Sequence, residues 1–244
     1  MSDEIAVGTW IHTLTSTESA ARLAAHGFDF VYIDMQHSGF SESTVQDLAL
    51  GARLGGALPV VRPPSSNYPL GRLIKLGAGG VLMPDVSTVA EVEHVVAAVK
   101  EHPLGKRPAR AESLVPVLTA GGREAPAPLG LRDVVAIQIE SAEALDNLPR
   151  LLQVKGLDVA VVGRSDLSYA LGVPGETRHP RVEEAVVALI RACEDAGVVP
   201  GLLVSDVDEA KVWIERGIRW VPVGSDIRAL AEFGRGVTEG LSKK

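Results

Sequence analysis

Eight short apolar segments rich in β-branched residues recur along the chain, at residues 6–10, 28–34, 58–62, 80–85, 134–140, 157–163, 198–204 and 219–223. Stretches of helical length alternate with them, at residues 18–26, 43–54, 68–76, 89–101, 142–154, 182–196, 206–216 and 227–241. Within the sixth of these, Val182, Ala185, Val186, Leu189, Ile190 and Cys193 recur at spacings of three and four, which marks one buried helical face. Gly27, Gly77, Gly156, Gly197 and Gly217 stand just before apolar segments, where a glycine ends a helix by taking the left-handed conformation. Strand and helix in strict alternation require parallel strands joined by right-handed crossovers. Eight such units favour closure over an open doubly wound sheet, and no G-x-G-x-x-G follows the first segment. The expected fold is therefore α/β, a (β/α)₈ TIM barrel occupying one domain over residues 1–244.

Composition narrows the function. A net charge of −7 offers no basic footprint for nucleic acid, and no apolar run approaches the roughly 18 residues that cross a bilayer. The start, Met1-Ser2-Asp3-Glu4, lacks the basic-then-apolar layout of a secretory signal. The single cysteine, Cys193, allows neither an internal disulfide nor a cysteine-built metal site, so a reducing cytoplasm is the expected location. An acidic protein that handles an anionic substrate has to supply positive charge locally, from arginine or a metal ion.

In a barrel of this kind the chemistry sits where strands end and loops begin. Those ends read Asp34-Met35-Gln36-His37, Arg62, Pro84-Asp85, Gln138-Ile139-Glu140, Gly163-Arg164-Ser165-Asp166 and Gly224-Ser225-Asp226. Glu140 and Asp166 lie one βα unit apart, and two carboxylates with open positions suit a hard divalent ion such as Mg²⁺ or Mn²⁺. The competing reading is that Ser141 or Asp166 only caps the following helix. Arg62 ends an apolar strand with its fork in the barrel mouth, where a carboxylate or enolate oxygen is the natural partner. His37 is either a general acid–base group or a structural histidine. His12, His26, His94, His102 and His179 have no comparable context and are assigned to helices or loops. The irregular stretch 102–132 is long enough to cover the site, and Arg107 within it either serves a second substrate carboxylate or, as preferred, sits on solvated surface.

Taken together, these segments resemble the HpcH/HpaI aldolase family, metal-dependent class II pyruvate aldolases of the phosphoenolpyruvate/pyruvate-binding barrel superfamily. The resemblance covers nearly the whole chain, through Gly8-Thr9-Trp10, Gly27 to His37, Pro59-Val60-Val61-Arg62-Pro63, Gly77 to Pro84, Gln138-Ile139-Glu140 and Gly163 to Ser168. It implies that Glu140 and Asp166 hold a divalent metal, Mg²⁺ or Mn²⁺, with Co²⁺ or Zn²⁺ as alternatives. It implies that Arg62 steadies the pyruvyl oxygens and His37 moves a proton. Gln138, Gly163 and Ser165 then bind the oxo acid beside Arg62. The implied reaction is cleavage of a 4-hydroxy-2-oxo acid to pyruvate and an aldehyde through a metal-stabilised enolate. The implied assembly is a homo-oligomer, hexamer or trimer, with exchange of the C-terminal helix. Four positions depart from the family pattern: Gln36 replaces a glutamate, Lys75 an acidic residue, Arg164 a proline, and Pro108 the second glycine of a Gly-x-Arg-Gly stretch that reads Gly105-Lys106-Arg107-Pro108.

Two other functions remain open on sequence alone. The same enolate chemistry serves decarboxylation of an oxaloacetate-type acid or condensation of an oxo acid with an acyl-CoA. A non-catalytic oxo-acid-binding protein would keep the site and lose the turnover.

Overall fold

The computed structural model describes residues 4–107 and 127–241, and in it the eight apolar segments become the staves of one closed barrel. The strands are β1 (Ala6–Ile11), β2 (Phe30–Asp34), β3 (Leu58–Arg62), β4 (Gly80–Met83), β5 (Val134–Ile139), β6 (Val159–Val162), β7 (Val199–Leu202) and β8 (Trp220–Ser225). They pair in parallel and in sequence order, and β8 closes against β1. The helices among the described residues are α1 (Thr17–Ala24), α2 (Glu42–Leu54), α3 (Leu70–Lys75), α4 (Val89–Val99), α5 (Ala142–Leu151), α6 (Arg164–Ala170), α7 (Pro180–Ala196), α8 (Val207–Glu215) and α9 (Asp226–Leu241). None of them is long and apolar enough to cross a membrane.

Local chemistry explains where these helices start and stop. Ser16 and Thr88 close capping boxes on α1 and α4, while Ser41, Ser141 and Asp206 cap α2, α5 and α8. The six apolar residues singled out on α7 are all buried. All five helix-ending glycines take positive φ, from 71° at Gly197 to 113° at Gly217. Helix α6 is an element the periodicity did not reveal, because Gly163-Arg164-Ser165-Asp166 reads as a loop until the backbone turns at Gly163.

Two apolar layers follow from the period-two alternation of the strands. Outward residues such as Ile11, Val31, Ile33 and Val61 pack under the helices. Inward residues, Trp10, Phe30, Tyr32, Val60, Val161 and Trp220 among them, fill the barrel. The stretch 102–132 is described only in part, since residues 108–126 lie outside the described residues. Arg107 does not sit on the solvated surface expected for it. Its Nε donates to the Val99 carbonyl at 2.6 Å, and its Nη2 meets Asp133 at 2.6 Å and Glu101 at 3.0 Å. It is buried because three acceptors converge there, and its role is to fasten the chain after α4.

Helices α1 and α2 approach each other closely where the sequence has no side chain. A Cβ on Gly51 would stand 2.2 Å from the Thr17 carbonyl oxygen and 2.9 Å from the Ala20 Cβ. Gly51→Ala should therefore destabilise the fold by about 2 kcal/mol, read from the urea midpoint, despite alanine's better helix propensity.

Candidate active site

The inward-facing rows change character at their C-terminal ends. Two residues beyond Trp10, Tyr32, Val60, Ala136 and Val161 stand His12, Asp34, Arg62, Gln138 and Gly163. The mouth of the barrel is thus the next layer of the same alternation, built from polar groups. A cavity of about 450 Å³ opens there, whose lining includes Trp10, His12, His37, Arg62, Gln138, Gly163, Arg164, Ser165, Asp166, Thr177, Ser205, Ser225 and Arg228.

One wall is an ion-pair clasp. Register places Asp34 of β2 directly beside Arg62 of β3. Arg62 Nε donates to Asp34 Oδ1 at 2.9 Å and Nη2 to Oδ2 at 2.7 Å. The Gln36 amide donates to Oδ1 at 2.9 Å, and His12 Nε2 stands 3.2 Å from Oδ2. Burial alone would raise the Asp34 pKa, but hydrogen bonds from His12 and Arg62, with the arginine's charge, hold it well below the carboxylate range. The guanidinium lies 4.3 Å above the Trp10 ring and turns Nη1 toward Gln138 Oε1, 3.5 Å away.

The opposite wall is acidic. Glu140 is buried behind Gln138 and Gly163, with Oε1 accepting from the Asp85 amide at 2.7 Å and Oε2 from the Gln138 side chain. Its pKa is pushed up to about 7, first by burial and then by the charges of Asp85 and Asp166, against the lowering effect of its hydrogen bonds. Gly163 makes this arrangement possible, since a Cβ there would lie 2.6 Å from both Gln138 Nε2 and Glu140 Oε2. Asp166 stands exposed in the first turn of α6 and faces the cavity. Two neighbouring carboxylates, with no cation between them among the described residues, form a donor set suited to a hard divalent ion. Among the described residues no three His, Cys, Asp or Glu side chains cluster, so such an ion would take the rest of its shell from water and substrate.

The structure thus brings Arg62, Gln138, Gly163, Ser165 and Asp166 to one cavity with Glu140 just behind it. His37 also lines the cavity, but on its exposed rim. Asp85 contacts Gln36 Nε2 at 3.5 Å and leaves His37 alone. Arg164, which adds charge near the mouth, is held by Glu209 at 2.9 Å and the Leu203 carbonyl at 2.9 Å. Ser141 does cap α5, accepting from the Ala144 amide.

His12 lies in the bend just after β1, a loop position as expected, but it has a context the sequence did not show: it joins Asp34 in the cavity wall and stacks beside Trp10. Strand β1 runs one residue further than expected, to Ile11, and the inward parity that Trp10 establishes continues to residue 12. Asp226, one of the polar strand ends, has a role that the sequence did not show. Its buried carboxylate accepts from the amides of His12, Thr13, Leu14 and Ile227 and from the Thr13 hydroxyl, at 2.7–2.9 Å. Burial would raise its pKa, and the Leu14, His12 and Thr13 amides lower it further than burial lifts it.

Comparison with known proteins gives one consistent result. Residues 7–232 match the family described as HpcH/HpaI aldolase/citrate lyase. A 4-hydroxy-2-oxo-heptane-1,7-dioate aldolase from Shigella sonnei is 34% identical over 232 residues, covering 92% of this chain and 86% of the relative. The crystal structure of an HpcH/HpaI aldolase/citrate lyase family protein from Burkholderia cenocepacia superposes with a TM-score of 0.82 at 28% identity, over 98% of this chain and 95% of that one. An HpcH/HpaI aldolase from Desulfitobacterium hafniense shares the fold with a TM-score of 0.86 at 24% identity, over 99% and 94% of the two chains.

Asp226→Ala should lower stability at neutral pH by about 3 kcal/mol, because several amides lose their acceptor at once. A carboxylate with a lowered native pKa contributes fully above its unfolded-state value of about 3.9, and that contribution is lost as pH falls through the native value. Urea titrations from pH 5 down to pH 2 should accordingly show a smaller acid-induced loss in the variant than in the wild type.

Proposed function

The chain belongs to the HpcH/HpaI aldolase/citrate lyase family, and from that premise we propose that it cleaves a 4-hydroxy-2-oxo acid to pyruvate and an aldehyde with a divalent metal ion. It is a carbon–carbon lyase of the aldolase type. The single observation that carries the reading is one cavity lined by the Arg62 guanidinium and the Asp166 carboxylate, with the Glu140 carboxylate just behind it. A 2-oxo acid needs cations for its carboxylate and its developing enolate oxygen, and the guanidinium and an ion held by the two carboxylates would be those cations.

Glu140 and Asp166 would hold the ion, Mg²⁺ or Mn²⁺. Bound there, it supplies Lewis-acid polarisation of the 2-oxo group. The chain's own groups do the rest. Arg62 is fixed at Nε and Nη2 by Asp34, so Nη1 is the edge left to meet the C2 oxygen. Gln138 bridges the two walls, donating to Glu140 and facing Arg62. The turn Gly163–Ser165 offers a close backbone surface for the substrate carboxylate, and Gly163 lets it approach without a side chain. His37, on the rim, can exchange protons with solvent as well as with substrate.

We also place the active form in a homo-oligomer that exchanges its C-terminal helix. Support comes from α9, where Ile227, Leu230, Phe233, Val237 and Leu241 repeat every three or four residues and are all exposed, Phe233 by 73%. Phe233→Asp should shift the protein to smaller species in light scattering coupled to size exclusion.

Pyruvate in D₂O provides the test of the chemistry. Methyl deuteration followed by NMR should need Mg²⁺ or Mn²⁺ and should fall at least about 100-fold in Glu140→Ala. Exchange that is indifferent to metal, or unaffected by the substitution, would end the reading.

A further inference from the structure

Two buried polar atoms at the cavity wall have no hydrogen-bond partner, Trp10 Nε1 and His12 Nδ1. They belong to rings stacked at 5.5 Å between centroids with planes 6° apart, and both residues line the cavity. One is an obligate donor. The other is an acceptor, because His12 spends its Nε2 hydrogen on Asp34 Oδ2, 3.2 Å away, and Asp34 stays ionised. Leaving such atoms unmatched is costly, so an occupant that satisfies both is favoured. A hydroxyl does so: it donates to Nδ1 and accepts from Nε1.

The setting of His12 is that of a base held by an acid. Asp34 fixes the Nε2–H tautomer and would stabilise the imidazolium, the arrangement by which a carboxylate equips a histidine for proton transfer. The Asp226 carboxylate pins the backbone of residues 12–14, so the ring is carried on a rigid segment. Through Asp34 it also stands beside Arg62, the group assigned to the C2 oxygen. His37 has none of this: no hydrogen bond among the described residues fixes it, and Asp34's two oxygens are already filled by Arg62, Gln36 and His12.

We propose that His12, oriented by Asp34 and flanked by the Trp10 indole N–H, is the proton-carrying catalytic residue of this barrel. The inference rests on the pyruvate-forming reading above. In the cleavage direction the C4 hydroxyl proton passes to Nδ1, and the O–H electron pair becomes the C4 carbonyl as the C3–C4 bond breaks. That bond's electrons move to C3 and delocalise onto the C2 oxygen beside Arg62. The imidazolium then returns its proton to C3, which becomes the methyl group of pyruvate, so no net proton is gained or lost. Trp10 Nε1 holds the C4 oxygen throughout.

The experiment combines His12→Gln and His12→Ala in the metal-loaded protein, read by pyruvate methyl deuteration and by cleavage of a 4-hydroxy-2-oxo acid. Both rates should fall at least about 100-fold in either variant, with KM changed only a few-fold. Added imidazole should restore His12→Ala at least about tenfold, a recovery that a purely structural role would not give. Rates within threefold of wild type in His12→Gln would overturn the inference alone and leave the proton to His37. Loss without imidazole rescue would also overturn it, reducing His12 to a support for Arg62. No exchange in the wild type would overturn the pyruvate reading and this inference with it.

Discussion

Asp34 and Arg62 are buried side by side at the ends of adjacent strands, and neither could stay there without the other. An uncompensated charge at such a depth costs about 3–5 kcal/mol, so β2 and β3 are held in the register that keeps the two abreast. The clasp then determines the rest of the mouth. It uses two edges of the Arg62 fork and leaves the third facing Gln138. It also fills the Asp34 oxygens, which recruits His12 and leaves His37 unsupported. The histidine that the sequence motif brings to mind and the one the electrostatics equip are therefore different residues.

Across the cavity the constraint is of opposite sign. Glu140 is buried and feels the negative charges of Asp85 and Asp166, while hydrogen bonds from the Asp85 and Gln138 amides offset part of that cost. This is a costly arrangement for an unassisted protein and a natural one for a cation site. Its geometry depends on an absent side chain, since any Cβ at residue 163 would displace both Gln138 and Glu140. Cationic and anionic walls thus face each other over a space suited to a small, doubly oxygenated acid.

The segment after β1 and the start of α9 meet at this site. Asp226 is the first residue of α9, and its carboxylate gathers the segment that follows β1. The helix is therefore anchored at its start to the loop bearing His12, while its apolar stripe points away from the barrel. Association through that stripe would bear directly on the segment that carries His12.

How much of this was legible in the sequence follows from the range of each interaction. Strand and helix periodicity is local, so the eight-fold alternation, the buried face of α7 and the glycine helix ends are all written in neighbouring residues. The polar residues at strand ends were legible for the same reason, as were Arg62, Gln138, Glu140, Gly163 and Asp166. Family resemblance then supplied the chemistry that joins them. Helix α6, the burial of Arg107 and the role of Asp226 were not legible, because each depends on partners brought near only by folding. His12 lies between these cases. The inward parity of Trp10 pointed to it, but its importance rests on Asp34, 22 residues away and on the next strand. The sequence by itself determined which faces are apolar and which strand ends are polar, since alternation along a strand is fixed by backbone geometry. Only the tertiary structure decided which charges neutralise one another and which histidine receives the carboxylate, because barrel closure and register set the distances between separate strands.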